Sequence, residues 1–199
     1  MEAPPIPHNH PLDLDKLYLK RKLLKLIGAT FHIHEPGNGQ EVMVANKKGF
    51  KLKEDIRISV QGRDEIGIFA RQIMDFKAAY DVVDLTNPAN PRVGTLKRKG
   101  WASIVRDEWI VCDANEVEIG KVIEDSMLLA LVRRFLTNLV PQNYDLFVGE
   151  TKVVDLKQNF NPFTYHLNVD FLVPVDQFDR RIGVAAAVLL AAIEGRQSG

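Results

Sequence analysis

From Leu17 onward the chain alternates apolar and polar positions in short runs rich in β-branched residues, broken by turn residues at fairly regular spacing. A period of two marks strands with one buried face, and the interruptions mark hairpins. Phe31 to His34 and Val42 to Ala45 flank Pro36-Gly37-Asn38-Gly39. Ile56 to Val60 and Ile66 to Ala70 flank Gln61 to Asp64. Tyr80 to Val83 and Val93 to Leu96 flank Asn87 to Pro91, and Trp109 to Cys112 and Val117 to Val122 flank Asp113 to Glu116. Four consecutive hairpins predict an antiparallel meander, which strands around Tyr144 to Val148, Thr151 to Leu156 and Tyr165 to Phe171 extend.

Lys22 to Glu35 also aligns with Arg71 to Asp84, with Phe31 on Tyr80 and Ile33 on Val82, and Lys47 to Phe50 falls on Arg98 to Trp101. A hairpin unit cannot bury its apolar face alone, so the repeat predicts two similar halves closing on each other. Closure also removes exposed strand edges.

Two segments break the pattern. Asp125 to Val140 carries apolar residues at helical spacing, with Arg133 and Arg134 on the opposite side and Pro141 as a stop, and predicts an amphipathic helix. Ile182 to Ile193 has no polar side chain at all, so its helix, expected over about residues 178–194, must be apolar on every side. Twelve residues rising about 1.5 Å each reach roughly 18 Å, short of the roughly 30 Å of a bilayer's hydrocarbon, which disfavours a membrane span. The pattern predicts a mainly β (α+β) domain over residues 16–195: a closed antiparallel barrel of about 10–12 strands around this helix. Residues 1–15, rich in Pro, form a flexible arm in this reading, and 196–199 a tail.

Composition narrows the function. Twenty-six basic and 26 acidic residues cancel, leaving no net field toward nucleic acid or an anionic membrane, so any such attraction is local. A single cysteine, Cys112, fits a reducing compartment, and the first fourteen residues lack the basic start and apolar core of a signal peptide. Cytoplasm is the expected location, with peripheral placement at a membrane as an extension of it.

Leu19 to Ile27 leading into Phe31, Phe69 to Met74 leading into Tyr80 to Asp84, and Val93 to Lys99 resemble the strands of LURP-one-related chains in the tubby C-terminal-like superfamily, which also holds tubby proteins and phospholipid scramblases. The resemblance covers about Leu17 to Ile193 and implies a β-barrel around a central hydrophobic helix. Scramblase-like members imply acidic calcium ligands beside the final helix and cysteine-rich stretches. Here Asp176 and Asp179 stand among Arg180 and Arg181 with no cysteine cluster, so neither calcium dependence nor scrambling carries over. Tubby proteins imply headgroup binding at a barrel surface.

The local cations that suit an anionic headgroup are Lys20, Arg21 and Lys22, near Lys16 and Lys25, and Lys97, Arg98 and Lys99. Solvated strand positions are the competing reading. His32 and His34 share a strand face at metal-ligand spacing but lack a third ligand, and His8 and His10 lie on the arm, so no metal and no cofactor are expected. Asp81 with Asp84 and Glu124 with Asp125 are carboxylate pairs better explained by a turn and a helix cap. Trp101, Trp109 and Phe50 fit either an aromatic platform or the core, and Cys112 fits a small buried residue. The chain therefore reads as a non-enzymatic module binding anionic phospholipid. The alternative is a structural or regulatory protein-interaction module without lipid affinity, whose docking edge would be the arm and the basic strand after it.

Overall fold

The computed structural model describes residues 10–22, 29–47, 55–71, 78–89, 91–98, 108–124, 142–159 and 164–194. Twelve strands form a closed barrel in which every strand pairs antiparallel with its neighbours in sequence. They are β1 (Lys16–Lys22), β2 (Ala29–His34), β3 (Glu41–Lys47), β4 (Asp55–Val60), β5 (Arg63–Arg71), β6 (Ala79–Asp84), β7 (Arg92–Arg98), β8 (Glu108–Cys112), β9 (Glu118–Glu124), β10 (Asn143–Val148), β11 (Thr151–Asn159) and β12 (Thr164–Phe171). The ring closes where β1 pairs with β12 from Lys16↔Asp170 to Lys22↔Thr164. Because β1 also pairs with β2, it offers no docking edge, contrary to the expectation for the basic strand.

The hairpins expected from sequence are those observed. The β4–β5 loop is tighter than its four turn residues suggest: Gln61 and Gly62 both take positive φ and make a two-residue turn whose twist suits a hairpin. The internal repeat corresponds to β1–β3 and β5–β7, two arcs of one ring with β4 between them and not two facing halves. At matching positions Phe31, Ile33, Tyr80 and Val82 all face inward and are buried.

Eight strands can fill their own interior with side chains, whereas twelve leave a wider lumen. Helix α1 (Arg180–Glu194) fills it. Its residues from Val184 to Ala192 are at most 3% exposed, which explains the absence of a polar face. Alanine and glycine allow close approach: a Cβ at Gly94 of β7 would press on the Cys112 carbonyl and on Ile182 of the helix. Where α1 passes Leu96, Trp109 and Val122 the remaining void is about 10 Å³, at the lower limit for one water molecule.

At the end where α1 begins, the proximal end, Asp179 caps it by accepting from the Arg181 amide at 3.1 Å. Arg180 reaches Asp15 at 2.6 Å, and Arg181 reaches Asp84 of β6 at 2.6 Å. The arm read over residues 1–15 is fixed to the barrel from His10 onward. Pro11 opens a short 3₁₀ turn, His10 pairs with Glu65 at 2.7 Å, and Leu12 and Leu14 pack against the core. Among the described residues no helix is long and apolar enough to cross a membrane. The amphipathic helix expected over Asp125 to Val140 lies outside the described residues.

Candidate anion-binding surface

Odd-numbered strands run away from the proximal end, so β1 and β7 both finish at the distal end, where α1 also finishes. The topology thus brings the two basic runs, about eighty residues apart in sequence, to one end of the barrel. The pleat then divides each run, since consecutive side chains leave opposite faces. Lys20 points outward into solvent, whereas Arg21 follows Leu17 and Leu19 inward and is 7% exposed. Its guanidinium stacks 5.4 Å from the Phe31 ring centre, and Nη1 donates to the Ala191 carbonyl at 3.1 Å. The last carbonyls of a helix lack partners and carry partial negative charge, so a buried cation is well placed there. Arg21 is therefore a helix cap and not part of the outer cluster in which the sequence reading placed it.

The second run divides likewise. Lys97 lies on the outer face, and Arg98 turns in with its guanidinium 5.8 Å from the Trp109 ring centre. Trp109 is buried against Tyr80, which favours its core reading. Lys47, opposite Ala29 and Ile56 on the inner face of β3, approaches the same mouth, as do buried Glu124 and Gln142. Polar groups thus surround the C-terminal end of α1. The Lys22 side chain and Lys99, like Phe50 and Trp101, lie outside the described residues.

On the outer wall Lys20 sits between His32 of β2 and His166 of β12 in one cross-strand row. Burial, and then the Lys20 charge, hold the His166 pKa below the ordinary histidine value. The unfolded chain therefore binds this proton at higher pH than the folded chain. Stability is lost as pH falls from about 6.5 toward the folded value, and it is fully present above that window. Lys20→Gln should raise the His166 pKa, followed by NMR titration of its ring protons, and should weaken the acid-induced fall in melting temperature.

Other candidates have structural employment. His32 bonds Glu41 at 2.5 Å and His34 bonds the Gly39 carbonyl at 3.1 Å. Among the described residues no group of three or more metal-binding side chains assembles. Asp84 accepts from the Thr86 amide and hydroxyl and from Arg181. Burial alone would raise its pKa, but these donors outweigh it and hold the carboxyl below its usual range, as a turn residue requires and a general acid does not. Cys112 is buried, as expected.

Comparison with protein-family models and with curated proteins finds no match to the chain.

Three residues that were not site candidates in sequence, Arg71, Arg92 and Glu116, gather with Lys97 on the other side of the ring. Arg71 at the end of β5 and Arg92 at the start of β7 join Lys97 around Glu116, which belongs to the β8–β9 turn. They come from widely separated positions and no local motif links them. The only sequence trace was Arg71 aligning with Lys22 in the internal repeat.

Proposed function

We propose that the chain is a non-enzymatic β-barrel module, tubby-like and scramblase-like, that docks on anionic phospholipid with the distal end of its barrel. The observation that carries this reading is the segregation of charge along the barrel axis. The segments joining strands at the proximal end, with residues 10–15 and the run into α1, contain eight Asp or Glu and no Lys or Arg. At the distal end, among the described residues, β1 and β7 finish with Lys20 and Lys97 on the outer face and with Arg21 and Arg98 at the mouth. A net charge of zero is thus compatible with two unlike ends, acidic loops at one and outward lysines at the other.

Each cation near an anionic leaflet contributes on the order of 1 kcal/mol, and the effect fades within a Debye length of about 8–10 Å. A protein presenting its basic end gains this attraction while its acidic end stays beyond screening distance. Orientation, not net charge, then decides binding. The resemblance to tubby-like barrels supports the same ligand class.

Flotation with phosphatidylcholine vesicles, with and without phosphatidylserine, tests the reading. Recovery is expected only with the anionic vesicles, falling steeply as salt rises from about 0.05 to about 0.5 M. Equal recovery on neutral vesicles would overturn it. A protein-interaction module without lipid affinity would float with neither.

A further inference from the structure

The cations around Glu116 are arranged as an oxyanion site. Arg71 Nη1 and Arg92 Nη1 donate to the same carboxylate oxygen, Oε1, at 2.6 and 2.9 Å, and Lys97 Nζ lies 3.8 Å from Oε2. Asp81 of β6 steadies the two arginines at 3.5 and 4.0 Å and is itself held by the buried Thr95 hydroxyl at 2.9 Å. The cations thus stand on rigid paired strands with an oriented support behind them. The carboxylate they surround does not. Glu116 is in the turn Asp113–Val117, with φ +67°, a backbone state that costs a side-chain-bearing residue energy.

We propose that Arg71, Arg92 and Lys97 form a binding site for a phosphate-type dianion, and that Glu116 is a built-in competitor which occupies the site until such an anion displaces it. Guanidinium groups donate to two oxygens at once and match phosphate as well as carboxylate, and a dianion gains more from three cations than a monoanion does. Glu116 is partly exposed and carried by a turn, so it can swing into water without disturbing the barrel wall. The hydrogen bond from Arg71, with the charges of both arginines, holds the Glu116 carboxyl below its usual range, so it stays a charged competitor at neutral pH. This site on the side wall does not depend on the membrane reading, because a soluble phosphate monoester meets the same donors as a lipid headgroup.

A tethered competitor acts as a high local concentration of carboxylate, so removing its charge should tighten phosphate binding by about tenfold or more. Titration calorimetry with inorganic phosphate at constant ionic strength would compare the wild type with Glu116→Gln, which keeps the shape. Glu116→Asn, which tolerates positive φ, guards against misfolding of the first variant. The gain should vanish when Arg92→Gln is added. A Glu116 variant that is folded by circular dichroism and binds phosphate no more tightly than the wild type would overturn the proposal, as would a gain that survives Arg92→Gln. Flotation with phosphatidic acid in phosphatidylcholine vesicles distinguishes the sources. A parallel gain there assigns the site to a lipid headgroup, and a gain with free phosphate alone assigns it to a soluble phosphate; both support the site. Loss of phosphatidylserine binding by the wild type would refute the membrane reading while leaving the calorimetric result intact.

Discussion

Val188→Asp should yield no folded protein. Val188 lies in the middle of α1 at 0% exposure, and its helical neighbours Ala187, Leu189, Leu190 and Ala191 are at most 2% exposed. A surface helix can roll a misplaced charge toward water, but α1 has no such side, because the barrel surrounds it. An unpaired carboxylate in that interior costs several kcal/mol even after its pKa rises to keep it neutral, against a total stability of about 5–15 kcal/mol for a domain. Val188→Ala keeps the site apolar and should cost about 1–3 kcal/mol, leaving a cooperative melt at lower temperature. The pair separates burial from mere sensitivity of the position: circular dichroism and soluble yield should collapse for the aspartate variant only. A Val188→Asp protein that stays folded, and loses only vesicle association, would show that this segment belongs in lipid and not at the centre of the barrel.

That the helix was legible follows from the same geometry. Every position from Ile182 to Ile193 is apolar, which is a signal unlike either an amphipathic helix or a strand, and the barrel interior is what makes it so. Strands were legible because each has one wet face. In β12, intermediate and buried positions alternate along all eight residues.

Charge was legible only in part. Lys20, Arg21 and Lys22 are one cluster in sequence but not in space, and Leu17 and Leu19 mark the inward face on which Arg21 falls. The same period of two, continued from Leu96, sends Arg98 inward. The axial segregation of charge needed something no local pattern carries, namely that β1 and β7 end on the same side. Once every strand is known to reverse direction in sequence order, it follows from counting. The fixing of residues 10–15 was hidden for a similar reason: Glu65 and Arg180, which hold them, lie 55 and 165 residues from His10 and Asp15.

This division between outward and inward cations gives opposite expectations for neighbours in the chain. Lys20→Glu with Lys97→Glu removes two outward cations and adds two anions at the distal end. At on the order of 1 kcal/mol per cation, the loss of the two alone lowers affinity for phosphatidylserine vesicles at least about thirtyfold in low salt, and the reversal adds to it. Neither side chain is buried in the core, and the pair lost between Lys97 and Glu116 at 3.8 Å is partly exposed, so the melting temperature should fall only slightly. Arg21→Met should do the reverse. It removes the donor to the Ala191 carbonyl and the stacked charge over Phe31, while methionine keeps much of the apolar contact. A hydrogen bond from a charged group is worth about 1.5–3 kcal/mol, and relief of the buried charge returns part of it, so a net loss of about 1–2 kcal/mol is expected. In a domain of this size that corresponds to about 2–8 °C of melting temperature. The folded fraction should bind anionic vesicles as the wild type does. If Arg21→Met instead abolished binding at unchanged stability, Arg21 would be a headgroup ligand. The mouth of the barrel, and not its outer wall, would then be the surface that meets the membrane.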